Sequence, residues 1–472
     1  METHVQSLSN FIYGWILTYV LLGAGLYFTV RLRLIQFRHF FYMFAVLAGS
    51  RRAGEQQISS FQALATSLAA RVGTGNLAGV AIAITMGGPG AIFWMWMVAL
   101  LGTATSFVES TLAQIFKVRG PDGGFRGGPA YYMTAGLGQR WMGVLFSLSL
   151  MVAFGLFFNA VQANTIARAF EESFAMSPYL TGGLILALAG VVIFGGLRRI
   201  ARFAELVVPV MAAGYLLLAL VVVLMNLEHV PSALALVFRS AFGLEQAAAG
   251  GVGYSVQQAM TNGLRRGLFS NEAGMGSAPN AAATADPQPP HPASQGYVQM
   301  LGVFIDTIVI CSCTAAIILV SGEFDPASPV TGIQLTQQAL ASQVGGWGGP
   351  FVAAAVFLFA FTSIVANYSY AETNLLFLVS SRRVLQAFRA AVLGLVMFGS
   401  LAELPLVWAL ADVSMSVMAL LNIAAIVLLG RIAIAAAEDF NRQLGRGERP
   451  MFDASRIPGL AGRVERGIWD GK

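Results

Sequence analysis

Two stretches concentrate the residue types that hold small charged ligands: RVGTGNLAG at 71–79 and SNEAGMGSAPN at 270–280. Each mixes glycines with an amide, a hydroxyl and an ionisable side chain, Arg71 in the first and Glu272 in the second. Glycine lets a backbone approach a ligand closely. A helix interrupted there exposes N–H groups at the start of one half and carbonyls at the end of the other. The chemistry such ends do is binding, not bond cleavage. Hydrolysis would need HExxH, paired aspartates or a Ser-His pair within the helices. No HExxH occurs, and the four histidines are scattered without metal-ligand spacing. Cys311 and Cys313 lie two apart, so on a helix they face different ways and pair poorly. A phosphate loop is disfavoured too, because no Lys-Ser or Lys-Thr follows the glycines.

The elements that must carry these stretches are membrane helices. The 472 residues are 56% hydrophobic and only 11% charged, with mean hydropathy +0.69. Soluble domains hold about 25% charged residues. A span of ~30 Å of hydrocarbon takes about 20 apolar residues. Eleven segments qualify: 11–30, 60–86, 91–116, 141–167, 180–197, 203–226, 248–285, 296–321, 349–379, 388–402 and 404–430. The N-terminal METHVQSLSN lacks Lys and Arg, so the first is read as a retained span rather than a secretory leader. With the N-terminus outside and the C-terminus cytoplasmic, 23 of the 28 basic residues fall in inside loops and the tail. Arg51, Arg52, Lys117, Arg198 and Lys472 are among them.

The second and seventh spans hold the two glycine breaks. Non-helical backbone at membrane depth persists only beside protein or a cavity. Five spans from each break onward make two units of opposite topology, 59–247 and 248–430. A leading segment (1–58) precedes them and a basic tail (431–472) follows. The fold class is thus an all-α integral membrane protein with eleven transmembrane helices, one leading helix plus a 5+5 inverted repeat with two broken helices. Paired broken helices in matching positions point to a transporter's central site. Close packing through Gly75 and Gly79 is the competing reading of the first break.

Several motifs then fall in a familiar order. VGTGNLAGVA (72–81), GGPGAIFWMWMVALLG (87–102), GGPAYYM (127–133), QANTIA (162–167), RGLFSNEAGMGSAP (266–279), HPASQG (291–296) and FIDTIVICSCT (304–314) resemble the alanine or glycine:cation symporter family. The resemblance covers most of the chain. It implies a sodium- or proton-coupled symporter of the leucine-transporter fold in the bacterial inner membrane, carrying a small neutral amino acid. Na⁺ would be co-transported, with H⁺ as the other candidate. The partners expected are the amino acid and the lipid bilayer, with no nucleic acid and a monomeric chain.

Site residues follow from that implication. A substrate carboxylate would meet the N–H groups of Gly73, Thr74, Gly75 and Asn76. Carbonyls from Ala69 to Val72 would suit Na⁺, a hard ion that takes oxygen ligands. Thr362 and Ser363 resemble the hydroxyl pair that completes the sodium site of the fold, although back-bonding within the helix is their bland alternative. By resemblance Gln162 and Asn76 contact substrate. Asn164 faces the bundle, and Phe269 would wall the side-chain pocket. Asn271 and Gly274 in the second break belong to the same set. Some family members carry Gly-Trp after the hydroxyl pair, where this chain has IVANYSYAE with Asn367 at that place. Asn367 leaves alanine, glycine, serine, threonine and glutamine all open as substrates.

Charges at depth are functional candidates, and many simply pair. Arg71 is expected to have an acidic neighbour, with Glu272 and Asp306 the candidates. Asp306 could instead hold a proton or complete a second cation site. Glu109, Glu205, Glu372 and Asp412 read as structural pairs near span ends, and Arg265 and Arg266 as partners of groups near the second break. A channel or a membrane-embedded hydrolase remains the remote alternative.

Overall fold

The computed structural model describes residues 2–50, 57–120, 123–195, 197–244, 252–460 and 462–469. Arg51, Arg52, Lys472 and the start of the expected 248–285 span lie outside the described residues.

The chain is built almost wholly of helices. A leading helix α1 (His4–Arg31) is followed by the short α2 (Ile35–Arg38) and α3 (Phe40–Gly49). The first interrupted segment comprises α4 (Ser60–Arg71) and α5 (Gly75–Gly87), bent by 52° at the break. Helix α4 starts on a capping box in which Ser59 and Gln62 satisfy each other's free backbone N–H groups. Then come α6 (Ala91–Ile115), α7 (Pro129–Ala135), α8 (Arg140–Phe174), α9 (Pro178–Ile193) and α10 (Leu197–Met225). Proline at the first turns of α7 and α9 fits there because no helical N–H is needed. After α11 (Val230–Ala241) comes the second interrupted segment, α12 (Val252–Asn271) and α13 (Ala278–Thr284). Helices α14 (Pro292–Ser321), α15 (Gly332–Val344), α16 (Gly348–Leu378), α17 (Arg382–Leu401) and α18 (Leu404–Gly445) complete the bundle.

Among the described residues, eight helices are long and apolar enough to cross a membrane, or nine if α4 and α5 form one bent span. Two of the eleven expected spans fall short of that measure, for different physical reasons. Helix α9 has 16 residues, about 24 Å at 1.5 Å per residue. The α12–α13 segment is divided by its break and carries Arg265 and Arg266, so its composition is too polar. Helix α18 runs 15 residues past its expected end at 430, because its alanine-rich extension IAIAAAEDF is as good a helix former outside lipid as inside it.

Two pairs of two-residue strands tie the loops at one end. β1 (Ile58–Ser59) pairs in parallel with β4 (Ala285–Asp286), so the start of α4 is fastened to the end of α13. β2 (Val118–Arg119) pairs antiparallel with β3 (Phe125–Arg126). The chain after α18 folds back over this end. The Phe452 N–H donates to the Pro290 carbonyl at 3.0 Å, and Trp469 Nε1 donates to the Gln114 carbonyl at 3.0 Å. Lys117 is buried beneath the tail, donating to the Ala285 carbonyl at 2.8 Å, with its ammonium 3.9 Å from the Phe125 ring centre and 4.8 Å from that of Trp469. Burial pushes its pKa down to about 7, opposed by Asp286.

Candidate functional site

Both breaks are made by backbone that no helix can hold. In the first, α4 ends at Val72 with ψ 89°, and the chain resumes as a π-type turn over Gly75–Gly79. In the second, Glu272, Gly274 and Gly276 take φ of 58°, 88° and 81°. Glycine bears this freely, whereas Glu272 is a non-glycine residue in a strained region. Every residue from Val72 to Val80 and from Ser270 to Ala281 is buried.

The first break meets α16, α8 and α14. Ser363 Oγ donates to the Ala69 carbonyl at 2.8 Å and lies 3.5 Å from the Val72 carbonyl and 3.0 Å from that of Phe359. Three carbonyl oxygens thus converge on one hydroxyl, which has a single proton to give. Thr362 is not in this group. Its hydroxyl donates to the Phe359 carbonyl at 2.9 Å and sits 3.9 Å from Met211 Sδ. The hydroxyl pair is therefore split, because adjacent residues on a helix point about 100° apart.

The N–H groups one step further on are already covered. Asn76 Oδ1 accepts the Gly73 N–H at 2.9 Å. Gln162 Oε1 accepts both the Thr74 N–H at 2.9 Å and the Thr74 hydroxyl at 2.7 Å. The fit is close: a Cβ on Gly73 would lie 2.9 Å from Gln162 Oε1 and press on Ser363 Oγ. Gly75 is similarly crowded, 3.1 Å from Phe269 Cδ1. Phe269 itself stacks on Phe158 with ring centres 4.4 Å apart, and Trp408 lies 4.6 Å away. Gly73, Thr74, Gly75, Asn76, Gln162, Phe269, Ser363 and the Ala69 and Val72 carbonyls are thus brought together.

The other expected residues lie elsewhere. The Gly274 N–H is taken by Glu109 Oε1 at 3.3 Å. Asn271 turns its Oδ1 onto the Ala273 N–H at 3.0 Å, while its Nδ2 has no partner among the described residues. Asn367 Nδ2 donates to Asn159 Oδ1 at 3.1 Å, and its Oδ1 is unpaired among the described residues. Asn164 donates to the Gly399 and Ala402 carbonyls at 2.9 and 2.8 Å, which ties α8 to the end of α17.

Asp306 bridges the two breaks. Asn76 Nδ2 donates to its Oδ1 at 2.7 Å, and Ser270 Oγ and Thr307 Oγ1 donate to its Oδ2, each at 2.7 Å. Cys311 Sγ completes this cluster, 3.3 Å from Asn76 Nδ2 and 3.2 Å from Ser270 Oγ. The sequence shows of Cys311 only that it pairs poorly with Cys313. Its partners Asn76 and Ser270 come from two other helices, and no spacing announces that.

Two further expectations change. Arg71 was assigned an acidic neighbour. Among the described residues it has no carboxylate within ion-pair distance. It donates to the Gln299 carbonyl at 3.3 Å and to Ser106 Oγ at 3.4 Å, with Glu109, Glu272 and Asp306 in electrostatic reach. Carbonyl and hydroxyl groups solvate the guanidinium, and three more distant carboxylates balance it. Glu109 was read as a span-end pair. Instead it is fully buried and caps the second break, accepting the Gly274 and Gly276 N–H groups and Asn422 Nδ2. Asn422 also donates to the Gly274 carbonyl at 2.9 Å and accepts from Tyr132. Arg266 pairs with Asp412, Glu372 with Arg389 at 3.5 Å, and Glu205 accepts from Gln62 at 2.8 Å.

Known proteins resemble the chain along its whole length. Residues 1–454 match the sodium:alanine symporter family. The amino-acid carrier protein AlsT of Bacillus subtilis (strain 168) is 49% identical over 465 residues, 98% of this chain and 97% of its own. The probable sodium/glutamine symporter GlnT of the same strain is 47% identical, over 95% of this chain and 93% of its own. The sodium/proton-dependent alanine carrier protein of Bacillus sp. (strain PS3) is 38% identical, over 86% and 93%. The chain belongs to the sodium:alanine symporter family, whose members are multi-pass membrane transporters and not enzymes.

Proposed function

We propose that the chain imports a small neutral amino acid together with Na⁺ by alternating access, with alanine or glycine the leading substrates. One observation carries the reading. Ser363 Oγ stands among the Ala69, Val72 and Phe359 carbonyls, and the N–H groups of Gly73 and Thr74, which directly follow Val72, are capped by side-chain oxygens. A cation enters the first arrangement when the Ser363 hydroxyl keeps its proton on the Phe359 carbonyl and offers its oxygen, beside the Ala69 and Val72 carbonyls, as a ligand. A carboxylate enters the second by displacing the Gln162 and Asn76 oxygens. Gln162 is then a placeholder whose amide turns to the substrate when the N–H groups are claimed. Phe269 and Phe158 supply an apolar wall. The names of GlnT and of the alanine carriers support both serine-, threonine- or glutamine-sized and smaller substrates.

In this reading the chain crosses the inner membrane eleven times, N-terminus outside and C-terminus inside, as one leading helix and a 5+5 inverted repeat. It acts as a monomer. A membrane potential of 100 mV contributes about 2.3 kcal/mol per charge moved, roughly fiftyfold accumulation.

Proton coupling is the second reading, favoured by Asp306, a carboxylate that touches both broken segments. The test is a thermal-shift panel of amino acids in sodium and again in choline, followed by uptake into proteoliposomes. A ligand that binds the folded state stabilises it. Stabilisation by alanine or glycine in sodium alone supports the first reading. Stabilisation independent of sodium, with uptake driven by a pH gradient, replaces it with the second.

A further inference from the structure

At the end of the bundle where α1 and α18 emerge together, a cleft of about 410 Å³ is lined by Arg31, Arg33, Arg38 and Arg442 with the single carboxylate Glu438. Among the described residues, none of the four guanidiniums is recorded with a hydrogen bond or an ion pair, and Glu438 lies beyond 4.0 Å from each. Four unpaired cations facing one cleft repel one another, and a fold that keeps them together has something to gain from an anion there. Asn441 adds a neutral donor to the wall, its Oδ1 being held by the Tyr297 hydroxyl at 3.0 Å.

Three further features say which anion. First, depth. Helix α1 has 28 residues, about 42 Å, when it ends at Arg31. Helix α18 reaches Ile434, on the cleft wall, about 45 Å from its start. A bilayer with its head groups is about 40–45 Å thick, so the cleft sits at head-group level. Second, flanking surface. Phe37, Phe41, Leu34 and Val30 are 60%, 85%, 51% and 64% exposed beside it, an apolar collar suited to acyl chains rather than water. Third, backbone. Arg33 and Leu34 are consecutive non-glycine residues at φ 55° and 58°. Such backbone persists only where the surrounding structure holds it in place. The sharp turn it makes brings Arg31, Arg33 and Arg38 onto one cleft instead of around a helix.

We infer that this cleft binds the phosphodiester head group of an anionic glycerophospholipid, with the acyl chains lying along the apolar collar. The arginines match phosphate oxygens by charge and by their forked donors. A zwitterionic lipid carries its own counter-charge and gains less. The bound lipid would bridge the leading helix to the last one.

The test uses the full-length protein in detergent, titrated separately with phosphatidylglycerol, phosphatidylcholine and inorganic phosphate. Retained lipid is read by native mass spectrometry and stability by thermal shift. Arg33→Gln/Arg38→Gln is compared with wild type and with Arg199→Gln/Arg383→Gln, which removes two exposed arginines outside the cleft. The expected result is retention and stabilisation by phosphatidylglycerol but not by phosphatidylcholine. The cleft variant should bind about thirtyfold more weakly and the control variant like wild type. An unchanged melting temperature in phosphatidylcholine certifies that the cleft variant is folded. Equal retention of the two lipids, equal loss in both variants, or full stabilisation by inorganic phosphate alone would each overturn the inference.

Discussion

Replacing Ser363 with alanine tests the cation half of the proposed site most directly. The hydroxyl lies 2.8, 3.0 and 3.5 Å from three carbonyl oxygens, and among the described residues no other side chain donates to the Ala69 carbonyl. Without an ion, the substitution removes one buried hydrogen bond and leaves that carbonyl short of a donor, about 1–2 kcal/mol of stability. With an ion, it removes one oxygen ligand from a small set. By analogy with hydrogen bonds to charged groups, each worth about 1.5–3 kcal/mol, the sodium concentration for half-maximal uptake should rise roughly 10- to 150-fold. Thr362→Ala is the matched control. Its hydroxyl serves the Phe359 carbonyl and Met211, not Ala69 or Val72, so its sodium requirement should shift by no more than about threefold, the value of a weak back-bond. The assay is sodium-dependent uptake in proteoliposomes at fixed potential, paired with sodium-dependent thermal shift to confirm folding. If Thr362→Ala raises the sodium requirement tenfold while Ser363→Ala leaves it unchanged, the carbonyl cluster around Ser363 is not the ion's seat.

The remaining predictions address the other buried clusters. Asp306→Asn keeps an acceptor for Asn76 and meets Ser270 and Thr307, whose hydroxyls can reverse, so the fold should hold. Charge moved per substrate, read by solid-supported-membrane currents, should fall by one if Asp306 carries an ion or proton; an unchanged ratio rules out both roles. Glu109→Gln sets an NH₂ against N–H donors at the second break, which should cost about 2–3 kcal/mol and lower the melting temperature by several degrees, whereas Glu205→Gln should not. Lys117 gives a pH dependence. Folded, its pKa is pushed to about 7 by burial from the ordinary 10.5. The unfolded chain therefore binds the extra proton between those values, and stability rises with pH across that window. The melting temperature should increase from pH 7 to pH 9, and the slope should flatten in Lys117→Met; an equal slope in both would assign the effect elsewhere.

What the sequence made legible was whatever broke an apolar pattern locally. Glycines and an asparagine inside a hydrophobic run marked both breaks, and Gln162 stood out as an amide that lipid would not tolerate. Ser363 was readable only as half of a pair, because a string of letters does not say which of two adjacent hydroxyls faces the partner helix. The cap on the second break was harder. Asn422 is a lone amide in LLNIAA and Glu109 a lone acid in FVESTL, 313 positions apart. Glu109 signalled that it needed a partner, and nothing in the sequence pointed it to Asn422. Arg71 misled because a buried cation suggests an adjacent carboxylate, whereas a carbonyl and a hydroxyl can solvate it while the counter-charges stay farther off. The folded tail escaped notice because its anchors, Phe452 and Trp469, are single aromatics in a basic segment.

The proposed coupling of ion to substrate has a short physical route. The Val72 carbonyl, 3.5 Å from Ser363 Oγ, and the Gly73 N–H, capped by Asn76, belong to one peptide group. In a trans peptide they point in opposite directions. A cation on the carbonyl side polarises the group and makes the N–H a better donor to an anion, and the reverse follows from the same dipole. Asn76 extends the link, since its amide also binds Asp306. When a carboxylate takes the Gly73 N–H, Asn76 Oδ1 is released and its Nδ2 contact with Asp306 is free to change. Sodium and substrate would then favour each other by an amount typical of linked sites, about 1–3 kcal/mol or roughly 5- to 150-fold, without a long conformational relay. Because linkage is reciprocal, alanine should lower the sodium concentration needed for thermal stabilisation by the same factor that sodium lowers the alanine concentration. A sodium affinity that is the same with and without alanine, a coupling factor of one, would rule out the shared peptide as the link.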